Sequence, residues 1–279
     1  MVENRFAALE RDNVDVPVDA ALFDELTASG AHEVIIESPV HEARFAQFSE
    51  RKIQNILNVF QKRISDLLED PGLRFIQIVR NCGPEAGASL LHPHTQLIGL
   101  PFVPDWIERE YRELLEYQRR HGHDFMQEQI EQARSEPSRI ICENQNYIAF
   151  TLFAPRFPFE SWILPMQPEH DYCRVDQERM ADLAEILLKV HWAIDQTLDA
   201  PAYNFTLHTI PSLDHNVFGG FGFEQFYRWR FEIAPRLTTL SAFELGAGVF
   251  INPISPEKAA SRLRQCIERG TRQPRPINT

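Results

Sequence analysis

Residues 73–100 read LRFIQIVRNCGPEAGASLLHPHTQLIGL, and their pattern decides the fold class. In LRFIQIVRN (73–81) apolar and polar side chains alternate, the period of a strand with one buried face. A loop with Gly83 and Gly87 follows, and LLHPHTQLIGL (90–100) reads as a second strand. Upstream, HEVIIES (32–38) is a short β-branched strand that runs into a loop holding His41. From Ser49 the period changes. Ile53, Ile56, Leu57, Phe60, Ile64, Leu67 and Leu68 recur three and four residues apart, as on an amphipathic helix, and Pro71-Gly72 ends it.

The same order occurs again downstream. NYIAFTLFAP (146–155) and SWILPM (161–166) read as strands. Pro168 precedes His170 by two residues, as Pro39 precedes His41. A second amphipathic helix carries Met180, Leu183, Leu187, Val190, Ile194 and Leu198 on one face. YNFTLHTI (203–210) then matches LRFIQIVRN, and FYRWRFEIAP (226–235) matches the strand holding HPHTQ. The expectation is an α+β fold of two tandem repeats, each a mainly antiparallel sheet with a long helix packed on it. The repeats would span residues 1–104 and 138–279, joined by a charge-rich, solvated helical connector at 105–137. A last helix is expected from Pro256, with Ser255 as its cap.

The 279 residues hold 28 Lys+Arg against 40 Asp+Glu, a net charge of −12. That balance argues against general binding to nucleic acid or anionic membranes. No apolar run approaches a membrane span, and the N-terminus lacks a secretory pattern. The four cysteines are scattered without a CxxC pair, so a reducing, cytoplasmic setting is expected.

Chemistry concentrates in Asn81-Cys-Gly83-Pro-Glu-Ala-Gly87-Ala-Ser89-Leu-Leu-His92-Pro-His94-Thr-Gln96. Glycines between strands let backbone N–H groups approach an anion. In a strand, His92, His94 and Gln96 would share one face, and Pro93 would need a non-pairing position. A neutral imidazole can attack phosphorus near neutral pH. From the residues alone, a nucleophile, a pair of metal ligands and structural histidines all stay open.

The run N-x-G-x-x-x-G-x-S-x-x-H-P-H-x-Q resembles the active-site signature of galactose-1-phosphate uridylyltransferases, in the histidine-triad superfamily. Asn4-Arg5-Phe6-x-Ala8-Leu9 is similar to that family's Asn-x-Phe-Pro-Ala-Leu segment, and Ser38-Pro39-x-His41 to its Ser-Pro-x-His turn. The ending Glu244-Leu-Gly-Ala-Gly-Val-Phe-Ile-Asn-Pro253 resembles the nucleotide-sugar phosphorylases of the same group. The resemblance implies two histidine-triad-like repeats, with the first carrying the active site. It implies His94 as the nucleophile, forming a nucleotidyl-histidine, and Gln96 as the residue holding phosphoryl oxygens. Asn81, Gly83, Gly87 and Ser89 would cradle the diphosphate, and Asn4 and Arg5 would sit at the ribose or base. The substrates would be a nucleotide sugar and a sugar 1-phosphate, with UMP as the group moved and a homodimer as the assembly.

Four departures accompany the resemblance. Family zinc sites use a CxxC pair with two histidines matching His41 and His92. Here the pair is absent, so His41 and His92 would be remnant zinc ligands lacking two of the usual four partners. At a second family metal site, Glu110 and His208 have Arg230 and Glu232 beside them in place of two histidines, and no metal is expected there. In the second repeat Arg228, Arg230 and Glu232 stand where the first has His92, His94 and Gln96. The galactose-binding residues of the family are also not evident in SAFELGAGVFINP (241–253). Three alternatives to the transferase therefore remain: a phosphorylase using inorganic phosphate, a hydrolase, and a non-catalytic nucleotide-binding paralogue.

Overall fold

The computed structural model describes residues 2–3, 7–11, 28–210, 222 and 226–270. Its first half contains β1 (Val2–Glu3), β2 (Ala31–Ile36), α1 (Glu50–Leu68), β3 (Phe75–Cys82) and β4 (His94–Leu100). The second contains β5 (Ile140–Glu143), β6 (Tyr147–Thr151), β7 (Ser161–Pro165), α4 (Gln177–Leu198), β8 (Tyr203–His208) and β9 (Arg230–Pro235). Between them lie α2 (Asp105–His121) and α3 (Phe125–Ser135), and α5 (Ala242–Ala247) and α6 (Pro256–Arg269) close the described chain.

The nine strands form one sheet in the order β1-β2-β4-β3-β8-β9-β7-β6-β5, with every named pairing antiparallel. The order shows a duplication. β2-β4-β3 and β7-β9-β8 are equivalent triplets, and each has its long helix between the same two strands in sequence. They meet at the β3–β8 ladder, which sets Asn81 opposite Asn204 and Val79 opposite Thr206.

Pleating sorts the side chains onto two faces. One face carries Ile35, Thr95, Leu97, Ile78, Arg80, Phe205, Leu207, Phe231 and Ile233, all buried. Helices α1 and α4 pack against each other on this layer. The α1 stripe read from the sequence is buried at Ile53, Ile56, Leu57, Phe60, Ile64 and Leu67. Ser49 starts that helix by accepting from the Lys52 N–H. The α4 residues Met180, Leu183, Leu187, Val190 and Ile194 are likewise buried, and Ser255 caps α6 as expected. The opposite face carries His32, His94, Gln96, Asn81, Asn204, Arg230 and Glu232 across neighbouring strands.

Two expectations need correction. The second strand of the HPHTQ segment begins at His94 rather than at Leu90. Pro93 has no N–H to give the ladder, so pairing starts after it. Leu90 and Leu91 stay exposed, and His92 lies in the loop rather than on the strand face of His94 and Gln96. The connector is also not simply solvated. α2 buries Ile107, Tyr111, Leu114 and Leu115, and α3 buries Met126, Ile130 and Ala133. Those apolar positions recur at helical spacing among many charges, which is the pattern of a half-buried helix. Tyr111 donates to the Thr209 carbonyl at 2.7 Å, which ties α2 to the end of β8. None of the described helices is long and apolar enough to cross a membrane.

One buried group sets a pH dependence. His191 on α4 is 1% exposed, with its ring against Phe45, Tyr203 and Phe205. Burial, with Arg80 and Arg44 nearby, drives its pKa well below the ordinary 6.5. The unfolded chain therefore binds a proton that the folded chain refuses. This contribution is flat above about pH 6.5 and falls by up to about 1.4 kcal/mol per pH unit below it. Urea unfolding from pH 7 to pH 5 should show the slope, and His191→Leu should reduce it by about one proton. An equal slope in the variant would assign the effect to other groups.

Candidate active site

The loop from Gly83 to Pro93 leaves β3 through a 3-10 turn at Pro84–Ala86. Gly83 has φ 88°, and a Cβ there would lie 2.7 Å from the Ala202 Cβ, so only glycine fits without a shift. The turn consumes donors that the sequence had suggested for an anion. Ala86 and Ala88 donate N–H to the Gly83 carbonyl, and Gly87 donates to that of Pro84. Gly87 and Ser89 are exposed. Asn81 points out of the same strand end, and its Oδ1 accepts from Asn204 Nδ2 at 2.7 Å. Asn204 also donates to the Ala86 carbonyl at 2.9 Å and accepts from Arg236 Nε. With its oxygen occupied, Asn81 has N–H donors left to offer outward.

His94 opens β4 and is 7% exposed. Its Nδ1 lies 2.7 Å from the His92 carbonyl oxygen. A carbonyl only accepts, so Nδ1 carries the proton of neutral His94 and Nε2 keeps its lone pair. Two residues along the same face, Gln96 Oε1 lies 2.8 Å from His32 Nε2. His32 Nδ1 in turn accepts from the Ala8 N–H at 3.0 Å.

Beneath His94 lies a buried ion pair that the sequence did not reveal. Arg80 Nε donates to both Glu37 oxygens at 2.9 and 3.0 Å, and its Nη1 donates to the Tyr203 hydroxyl at 2.6 Å. Thr95 Oγ1 donates to Glu37 Oε1 at 2.5 Å, and the Glu37 N–H reaches the Pro93 carbonyl at 3.1 Å. Glu37 thus contacts both neighbours of His94, the Pro93 carbonyl through its backbone N–H and the Thr95 hydroxyl through its carboxylate. Burial disfavours the Arg80 charge, but Glu37 outweighs it and raises the pKa above the ordinary value.

His41 and His92 do meet, with their Nδ1 atoms 2.9 Å apart. Two imidazoles supply half of a tetrahedral zinc set. Among the described residues no third His, Cys, Asp or Glu joins them as a metal group. The described pair is by itself an imidazole–imidazole hydrogen bond and does not fit a complete zinc site.

The second half of the same face holds charges paired with one another. Arg228 is fully buried and donates to Asp124, to Gln127 and to the Pro165 and Met166 carbonyls. Arg230 Nη1 is 2.7 Å from Glu110, and its guanidinium lies 4.3 Å from the Trp162 ring centre. Glu232 contacts Arg156 and lies 3.3 Å from His208. Burial pushes the Glu232 pKa up, but His208, Arg156 and Arg230 outweigh it and hold the carboxyl down to about 2. Arg230 places a fixed positive charge among these carboxylates, and the cluster is a salt-bridge network with no imidazole aligned like His94.

The structure therefore brings His94, Gln96, Asn81 and the Gly83–Ser89 loop to one end of the β3–β4 pair. His92 and His41 border it. Asn4 and Arg5 lie outside the described residues. The supports Glu37, Arg80, Thr95, Asn204 and His32 were not legible as site residues. Only the Glu37-Ser38-Pro39 adjacency to the histidine turn hinted at one of them.

Comparison with known proteins gives a consistent result. Residues 1–104 match the family model described as galactose-1-phosphate uridyl transferase, N-terminal domain. The chain is 29% identical over 268 residues to an ADP-glucose phosphorylase of Arabidopsis thaliana, covering 95% of this chain and 73% of that protein. It is 26% identical over 271 residues to a galactose-1-phosphate uridylyltransferase of Thermotoga maritima, covering 94% and 83%. Among solved structures, a uridylyltransferase superposes with a TM-score of 0.86 at 26% identity, over 97% of this chain and 85% of that one. The Arabidopsis thaliana ADP-glucose phosphorylase with bound ADP-glucose gives 0.82 at 27% identity, over 95% and 80%.

Proposed function

We propose that the chain is a member of the galactose-1-phosphate uridylyltransferase family, which it resembles over nearly its whole length, and that it transfers a nucleoside monophosphate from a nucleotide sugar through a covalent nucleotidyl-histidine at His94. Nε2 attacks the α-phosphorus, the bond to the sugar 1-phosphate oxygen breaks, and the sugar 1-phosphate leaves. A second sugar 1-phosphate then attacks the same phosphorus and releases the imidazole. Each displacement keeps the charge balance, and the proton stays on Nδ1 throughout, donated to the His92 carbonyl. The observation that carries this reading is the 2.7 Å contact between His94 Nδ1 and that carbonyl, because it leaves Nε2 as the nucleophilic atom.

In this reading Gln96 and Asn81 donate amide N–H groups to phosphoryl oxygens, where negative charge builds in the transition state. Ser89 contributes its hydroxyl to the diphosphate, and Gly83 and Gly87 give the loop its path. Asn4 and Arg5 take the ribose or base. UMP is the group moved, and a homodimer completes the site. Residues 1–104 form the catalytic repeat, 105–137 the connector and 138–279 the second repeat, which has lost its nucleophile. Cys82, Cys142, Cys173 and Cys266 are all free thiols, which supports a reducing, cytoplasmic setting.

A second acceptor is favoured by one observation. The ADP-glucose phosphorylase relative covers as much of the chain as the uridylyltransferases do. Inorganic phosphate in place of sugar 1-phosphate would release a nucleoside diphosphate by the same two displacements.

The test is intact-protein mass after brief incubation with UDP-glucose, UDP-galactose or ADP-glucose. A gain of one nucleoside monophosphate is expected and identifies the base. Adding glucose 1-phosphate, galactose 1-phosphate or phosphate to the adduct then shows which acceptor discharges it. Turnover by all donors without a trapped adduct and without ping-pong kinetics would exclude the covalent route.

A further inference from the structure

We propose that His32 is a positioning residue for this transfer: it decides which end of the Gln96 carboxamide faces the phosphoryl group. The inference rests on the reading of Gln96 as a phosphoryl ligand, and it adds a residue that does not itself touch substrate.

The argument begins at a backbone amide. The Ala8 N–H can only donate, and it points at His32 Nδ1 at 3.0 Å. That nitrogen must be unprotonated, so the proton of neutral His32 sits on Nε2. Nε2–H then has one role toward Gln96, that of donor. Gln96 must turn its oxygen to it, at 2.8 Å. The carboxamide is thereby locked with its NH2 on the side away from His32. A phosphoryl oxygen meeting that NH2 is attracted, whereas one meeting the amide oxygen is repelled. An amide rotated by half a turn would convert a donor into an acceptor at the point where charge develops.

The sheet register makes this contact specific. His32 pairs with Ile98 and Val34 pairs with Gln96, so His32 reaches Gln96 diagonally across β2 and β4. His94 and Gln96 share that face, two residues apart. The polarity set at Ala8 is thus handed through His32 to a side chain beside the reacting histidine. Asn81 shows the same arrangement independently, with its oxygen taken by Asn204 and its N–H groups left over.

The test uses His32→Phe, which removes the polar contacts to Ala8 and Gln96, and His32→Gln, whose amide can accept from Ala8 and donate to Gln96. The rate at which a nucleotide sugar labels His94 is expected to fall about tenfold or more in His32→Phe, with nucleotide binding much less affected. His32→Gln should recover most of that rate. In a Gln96→Ala background, His32→Phe should add almost nothing, since the residue acts through Gln96. An equal loss with and without Gln96 would overturn the proposal and leave His32 a plain structural contact. If the unsubstituted protein takes no label from any donor, the transferase reading has failed. The orientation is then read from the Gln96 side-chain amide resonances, identified by their loss in Gln96→Ala. Those signals should move in His32→Phe and stay near their place in His32→Gln. Unmoved signals in His32→Phe would overturn the inference on their own.

Discussion

His94→Ala should lower nucleotidyl transfer by at least about ten-thousandfold and leave no mass adduct with any nucleotide sugar. The size follows from the proposed mechanism. The imidazole is the attacking group in one displacement and the leaving group in the other, so no neighbour can substitute in half the cycle. His92 cannot take over, because it lies in the loop with its Nδ1 against His41. The second half of the sheet cannot either, since Arg230 and Glu232 are paired with Glu110 and Arg156. Nucleotide binding should survive, because Asn81, Gln96 and the Gly83 loop keep their own supports. Stability should change little. The imidazole lies on the sheet face away from α1 and α4, and removing this buried ring costs about one hydrogen bond and a small cavity, on the order of 1–2 kcal/mol. Calorimetry with a nucleotide sugar separates these effects. A variant that still turns over at more than about one hundredth of the original rate would require a different nucleophile.

Arg80→Met should cost about 3–5 kcal/mol of folding stability, the second large effect. The Glu37 side chain is fully buried and the Arg80 side chain only 2% exposed. Methionine fills much of the volume but leaves the carboxylate facing an apolar layer without its counter-charge. The double variant Glu37→Gln/Arg80→Met should cost less than the sum of the two single changes, because no buried charge is then stranded. Urea unfolding of the four proteins measures this. A loss below about 1 kcal/mol in Arg80→Met would mean that water or another cation reaches Glu37. The single variant should also lose activity while still folded, since the Glu37 carboxylate that Arg80 holds in place accepts from the Thr95 hydroxyl next to His94.

The two predictions draw on differently legible parts of the chain. The residues proposed to react were readable because their chemistry is local. HPHTQ, the glycine loop and Asn81 lie within sixteen consecutive residues, and strand parity alone puts His94 beside Gln96. The long helices were readable because an apolar stripe repeats along each of them, and the duplication because the order of elements repeats. Strand parity extended through Pro93 would put His92 on the face of His94 and Gln96, but the ladder begins only at His94. The connector reads as solvated from its sequence because its charges hide a buried stripe at Ile107, Tyr111 and Leu114.

What no local pattern contained was partnership across long separations. Arg80 finds Glu37 from 43 residues away and Tyr203 from 123, and Asn204 finds Asn81 across 123. His32 finds Gln96 across 64. By itself the sequence determined the period of each element, the doubling of the unit and the identity of the chemical groups, because these depend on neighbours in the chain. The tertiary structure alone decided the tautomer of His94, the polarity of Gln96 and the burial of the Glu37–Arg80 pair. Each of those depends on which donor or acceptor the assembled sheet brings within hydrogen-bond reach, and that distance is set only when the strands find their register.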